Sequence, residues 1–175
     1  TITGDNLNKI MKDIRKILHG FVALEVVEEN NNKIVAKDFL NLKDVSIPDN
    51  IRRMDIIIRG MFEDLIKSVY GEFNSSIYER DFDVNRFCFL ILRAVHGAME
   101  SPSTARMLDI HGKDLLAIWF LSLNMEDIGD EIKSIEENLH GMDAQIKDLL
   151  LRIPNIPADD VPVGKDANDN AIVKS

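Results

Sequence analysis

Two pairs of oxygen-bearing side chains stand at helical spacing in this chain. Glu126 and Asp130 are separated by one turn, so on a helix both carboxylates leave one face and can reach a common ligand. Asp81 and Asn85 repeat the spacing, and Glu79 with Asp83 gives a further acid pair turned slightly away. Asp81 is the informative member. It occupies the second position of the stripe Ile77, Asp81, Val84, Cys88, Ile91, Val95, Ala98, whose 4-3 rhythm marks a buried helix face. A carboxylate on such a face is costly unless it is protonated, hydrogen-bonded or bound to a cation. Asp81, Asn85, Glu126 and Asp130, with Glu79 and Asp83 in reserve, therefore form a candidate metal set of oxygen ligands, suited to hard or borderline cations. The competing explanation is a buried polar network that needs only hydrogen bonds.

Other chemistry finds little support. Glu137 and His140 show the Glu-x-x-His spacing of di-metal carboxylate oxidases, but that fold needs a second such motif and two further glutamates. His19, His96 and His111 have no Glu three residues before them. No Ser/His/Asp arrangement, P-loop or dinucleotide fingerprint is present, so no catalytic residue is assigned and the expectation is a non-enzyme. The single cysteine, Cys88, sits on the apolar stripe as a core thiol and offers no disulfide framework.

The elements that must position these acids are helices. Leu121, Met125, Ile128, Ile132, Ile135, Leu139, Met142, Ile146 and Leu149 keep a 4-3 rhythm over about four heptads, the seam of a helix that packs lengthwise. The pattern predicts helices near 51–69, 75–99 and 112–150. Ser46 or Asp49 can cap the first and Ser75 or Ser76 the second, while Ser101-Pro102-Ser103 breaks the chain before the third. Gly60 inside the first implies a close helix contact, and Leu116, Trp119 and Phe120 are expected to anchor the third. Upstream, a short helix capped by Asp5 and ending at Gly20 precedes strand-like runs Phe21–Val27 and Lys33–Phe39 around Asn30-Asn31-Asn32, a β-hairpin. Lys9, Lys12, Arg15 and Lys16 give that helix a basic, solvated face.

The expected fold is mainly α: an antiparallel three-helix bundle with a small N-terminal helix plus β-hairpin. Its divisions are 1–45 as an α-β-β cap or linker, 46–153 as the bundle, and 154–175 as an extended tail without apolar periodicity. With 30 acids against 21 bases, a broad phosphate-binding surface for nucleic acid is disfavoured. No uncharged apolar run approaches the ~20 residues of a membrane span, and no signal peptide opens the chain, so a cytoplasmic protein is expected.

The run Ile77 to Phe87, IYERDFDVNRF, followed by Leu123 to Ile132, LNMEDIGDEI, resembles the PhoU-type phosphate-uptake regulators. Glu126-Asp127-Ile128-Gly129-Asp130 matches their E(D)xxxD motif, with Asp81 and Asn85 at its partner positions. The segment from Ile14 to Arg53 is similar to the linker of archaeal relatives that join a SpoVT/AbrB-type DNA-binding domain to a PhoU bundle. The resemblance implies a non-enzymatic regulator that contacts a phosphate ABC transporter ATPase and a sensor kinase. It implies a homo-oligomer, most simply a dimer, and an iron or zinc ion held by the motif carboxylates. An alternative function is the sensing or dimerisation module of a transcriptional regulator with an AbrB-like DNA-binding domain. Asn85 departs from the family pattern by replacing an acid with a neutral amide, and a second full bundle is not evident.

Overall fold

A computed structural model describes residues 1–5, 7–73 and 76–153. The chain is mainly helical with one small sheet. It divides into two compact units, Thr1–His140 and Gly141–Ser175. The expected tail at 154–175 and the possible cap Ser75 lie outside the described residues.

In the first unit, β1 (Ile2–Thr3) precedes α1 (Met11–His19), β2 (Leu24–Asn30) and β3 (Lys33–Asp38). The strands pair antiparallel in the order β1-β3-β2. The hairpin is therefore present with a third, two-residue strand that its length hides from sequence inspection. Val27 is bulged out of register between Val26 and Glu28. Asp5 does not cap α1, because a single 3-10 turn over Leu7–Lys9 intervenes and Ile10 takes the cap position without a side-chain bond. Arg15 of the basic face is spent internally, donating through Nε and Nη2 to the Glu29 carboxylate at 2.8 and 2.5 Å, which fastens α1 to β2.

The helical part consists of α2 (Ile47–Val69), α3 (Ser76–Glu100), a short α4 (Pro102–Met107) and α5 (Leu115–Arg152). Ser46 accepts from Asp49 N, and Pro48 fits the first turn of α2, where its missing N–H costs nothing. The same logic starts α4, whose Ser101 accepts from Thr104 N ahead of Pro102; there the break holds a helix of its own. Ile47, Met54, Ile58, Met61 and Leu65 of α2 share one core with Ile77, Val84, Cys88, Ile91 and Val95 of α3 and Met125 and Ile132 of α5. Gly60 has the close contact its position implies: a Cβ there would lie 2.7 Å from Arg80 Nη1.

The seam of α5 departs from the heptad reading. Met125 and Ile132 are buried, but Leu121, Ile128 and Ile135 are 45, 44 and 45% exposed, and Ser122, Gly129 and Glu136 take their places inside. An undistorted helix turns 100° per residue, so a 3.5-residue repeat drifts across its face, and the backbone seats the small Ser122 and Gly129 inward. Leu116 and Phe120 are 65 and 55% exposed, leaving the anchoring role to Leu115, Ile118 and the partly buried Trp119. In the second unit, taken by itself, α5 runs unbroken through Gly141 to Arg152 with Met142, Ile146 and Leu149 exposed.

Candidate functional site

Asp81 is 5% exposed on the core face of α3. Opposite it, Gly129 presents bare backbone, and a Cβ there would lie 3.5 Å from Val84 Cγ1 and 3.9 Å from Asp81 Oδ1. This close seating lets the next turn of α5 deliver a residue that the acid pattern did not reveal. Lys133 Nζ donates to Asp81 Oδ2 at 2.8 Å and to Asp130 Oδ1 at 3.5 Å. The ammonium thus sits between two of the expected ligands. The sequence carries the Asp130 half of this arrangement, since Lys133 follows Asp130 by three residues on the same side of the helix; the reach to Asp81 depends on how α3 and α5 pack.

The charges set each other's protonation. Burial pushes the Asp81 carboxyl upward; Lys133 pulls it down and Asp130 pushes it up, with the net effect upward. Glu126 is also raised, by burial first and then by Asp130, Asp127 and Asp81. Lys133 is raised because it donates to Asp81, which outweighs its own loss of water. Both partners of the ion pair therefore hold their protons more firmly than in water: the lysine gains a partner, whereas the aspartate loses more hydration than the lysine returns. Burial, then Glu126 and Asp127, lift the Cys88 thiol to about 11, so it stays protonated and inert at neutral pH.

Asn85 and Glu126 border a cavity of about 500 Å³ with Phe21, Phe82, Phe89 and Lys16. The Asn85 Oδ1 atom is shielded and accepts no hydrogen bond. Glu79 and Asp83 do not join the group. Both are exposed, and Asp83 faces Arg86 at 3.8 Å. One turn beyond Lys133, Glu136 is 3% exposed and accepts from Ser68 Oγ at 2.8 Å through Oε1, while its Oε2 is shielded and has no partner. Nearby on α2, buried Asp64 receives Lys67, Ser76 and Arg80 at 3.0, 3.1 and 2.9 Å. Glu136 stands four residues after Ile132 and three before Leu139, an acid in a core stripe just as Asp81 is. Glu137 of the Glu-x-x-His spacing is exposed, and His140 packs its ring edge against Phe73, 5.0 Å between centroids.

Among the described residues, no three His, Cys, Asp or Glu side chains converge closely enough to hold a metal ion. The donor set as it stands does not fit iron or zinc, because the Lys133 ammonium already answers the Asp81 and Asp130 oxygens and Asn85 adds no charge. What the arrangement does is fix α3 to α5 through a polar group set in an apolar interface.

No family model matches the chain, and no solved structure matches it. Over 50 residues it is 44% identical to a serine–tRNA ligase of Exiguobacterium sibiricum, a stretch that is 29% of this chain and 12% of that enzyme. The chain thus spans about an eighth of the length of that curated relative, too little of either protein to assign a fold or an activity.

Proposed function

We propose that this chain is a non-enzymatic regulator of phosphate uptake that works by contact with other proteins, in the manner of the PhoU-type bundles its acidic motif resembles. The observation that carries the reading is the meeting of the two motif halves across α3 and α5. Gly129 of the motif lies against Val84, Asp81 is buried beneath it, and Asp130 shares Lys133 with Asp81. The α2, α3 and α5 core, taken as a three-helix bundle, supports the same reading. The partners it points to are the ATPase of a phosphate ABC transporter and a sensor kinase, met in the cytoplasm. No helix among the described residues is long and apolar enough to cross a membrane. In this reading the acid cluster is a structural and signalling element whose cation is Lys133.

Deleting the gene in its source organism and following radiolabelled phosphate uptake in phosphate-rich medium tests the proposal. Uptake should escape repression, return to normal with the native chain, and stay high with a Gly129→Leu chain that cannot seat α5 on Val84. Unchanged uptake after deletion removes the phosphate-regulator reading.

A further inference from the structure

Three features of the cavity of about 500 Å³ beside Asn85 and Glu126 call for the same kind of ligand. The first is negative charge without a counterion. Glu126 is partly buried, and burial first, then Asp130, Asp127 and Asp81, hold its carboxyl above the ordinary range. Lys133 gives its ammonium to Asp81 and Asp130, and among the described residues no ion pair reaches Glu126. The second is an aromatic wall. Phe82 and Phe89 stand two turns apart on one face of α3, and the Phe21 ring lies 5.1 Å from that of Phe89, tilted by 32°. Phe82 already carries the Arg86 guanidinium 6.0 Å from its centroid, so Phe21 and Phe89 are the faces left for another cation. The third is Asn85, whose Oδ1 is shielded from water and accepts no hydrogen bond; an N–H brought beside it satisfies a group that folding leaves unpaired. From α1, Asp13 and Lys16 line the cavity with opposite charges, both exposed, and offset one another.

We propose that this cavity binds a small organic ammonium ion, a primary amine on an aromatic stem. The ammonium supplies the charge that Glu126 lacks and an N–H for Asn85 Oδ1, while the stem covers Phe21 and Phe89. A bare metal ion offers no N–H and no apolar surface to lay on the rings. An anion on the same stem would have Lys16 alone to set against the acids. The volume lies within the ~300–1,000 Å³ of small-molecule sites. The site takes its ligand whether or not the chain regulates phosphate uptake, so it does not depend on that reading.

Ligand-observed NMR titration of the full chain tests it, with phenethylammonium chloride as the probe and 3-phenylpropionate, which has the same stem and a carboxylate, as its counterpart. Phenethylammonium should bind saturably with a Kd of about 1 mM or below, and 3-phenylpropionate about tenfold more weakly or not at all, a comparison that needs no variant. Glu126→Gln and Asn85→Leu should each weaken phenethylammonium by about tenfold with unchanged far-ultraviolet circular dichroism, whereas Lys16→Met should leave its affinity unchanged or tighter. Phenethyltrimethylammonium, which keeps the charge but has no N–H, should be indifferent to Asn85→Leu. A native chain that shows no saturable binding overturns the proposal. So does equal binding of the ammonium and the carboxylate probes. Binding that survives Glu126→Gln but is lost in Lys16→Met would make the cavity an anion site and equally overturn it.

Discussion

Replacing Lys133 with methionine takes away the ammonium that satisfies Asp81 while keeping the length of the side chain. Removing one partner from a fully buried ion pair costs about 3–5 kcal/mol, since the remaining charge is stranded. Asp81 meets that condition at 5% exposure, but the Lys133 side chain is 31% exposed, and water entering at its end screens part of the loss. About 2–3 kcal/mol remains, or a fall in thermal midpoint of about 5–10 °C for a chain of this size. Asp81→Asn combined with Lys133→Met should recover much of the loss, giving a coupling of about 1–2 kcal/mol in a double-mutant cycle. The pH dependence follows from the direction of the Asp81 shift. A carboxyl raised in the folded state binds its proton more readily there than in the unfolded chain, so stability declines as pH climbs from the ordinary carboxyl value through the folded one. Without Lys133 the folded value climbs further and the window widens. The Lys133→Met deficit should therefore be larger at pH 8 than at pH 5 in urea melts. An equal deficit at both pH values, or additive single effects, sinks this account.

Ser68→Ala should cost about 1–3 kcal/mol, because Glu136 at 3% exposure then has both oxygens unsatisfied; chemical denaturation measures it. Iron(II), zinc or manganese should raise the melting temperature of Lys133→Met more than that of the native chain, since removing the ammonium frees the Asp81 and Asp130 oxygens; equal response in both proteins would show that Lys133 does not compete with metal. Ala23 holds φ at 60°, where a Cβ costs about 1–2 kcal/mol, so Ala23→Gly should raise stability by about 0.5 kcal/mol after the greater freedom of unfolded glycine is deducted, a difference that urea titration can resolve. Arg93→Ala should expose the sheet to limited proteolysis near residues 24–38 while leaving helical content intact, as circular dichroism would report.

Most helix positions were legible because their signals are local. Ser46 with Pro48 starts α2, and the stripe of α3 names residues that are buried, from Ile77 to Ala98; on α2 the inward row Met54, Ile58, Met61, Leu65 holds, but Val69 at its end is exposed. Gly60 announced a tight neighbour, and one was found in Arg80. The α5 seam was harder, since Ile128 and Ser122 lie on either side of the true packing line and only a neighbouring backbone decides which turns inward. Asp81 was legible as a buried acid on its stripe, but its partner was not, because a lysine on a helix is ordinarily solvated and becomes an internal cation only when another helix covers it. The two-residue β1 carries no period to read, and its existence depends on β3.

Arg93 of α3 donates to the Val22 carbonyl at 2.6 Å and to both oxygens of Asp38 at 2.6 Å, tying the strand region to a helix 71 and 55 residues further along the chain. Synthesis proceeds from the N-terminus, so β2 and β3 leave the ribosome before the guanidinium that holds them exists. At about 5–20 residues per second the interval is roughly 3–10 s, long against the microseconds in which a hairpin forms and dissolves. A sheet of one hairpin and the two-residue β1, with the short α1 its one earlier-made helical neighbour among the described residues, is marginal in water. During nascent-chain growth these strands therefore sample paired and open states with unprotected edges, and arrival of Arg93 selects the paired one. A chaperone that shields strand edges has its period of use in that interval, and translation slowed between Asp38 and Arg93 lengthens it.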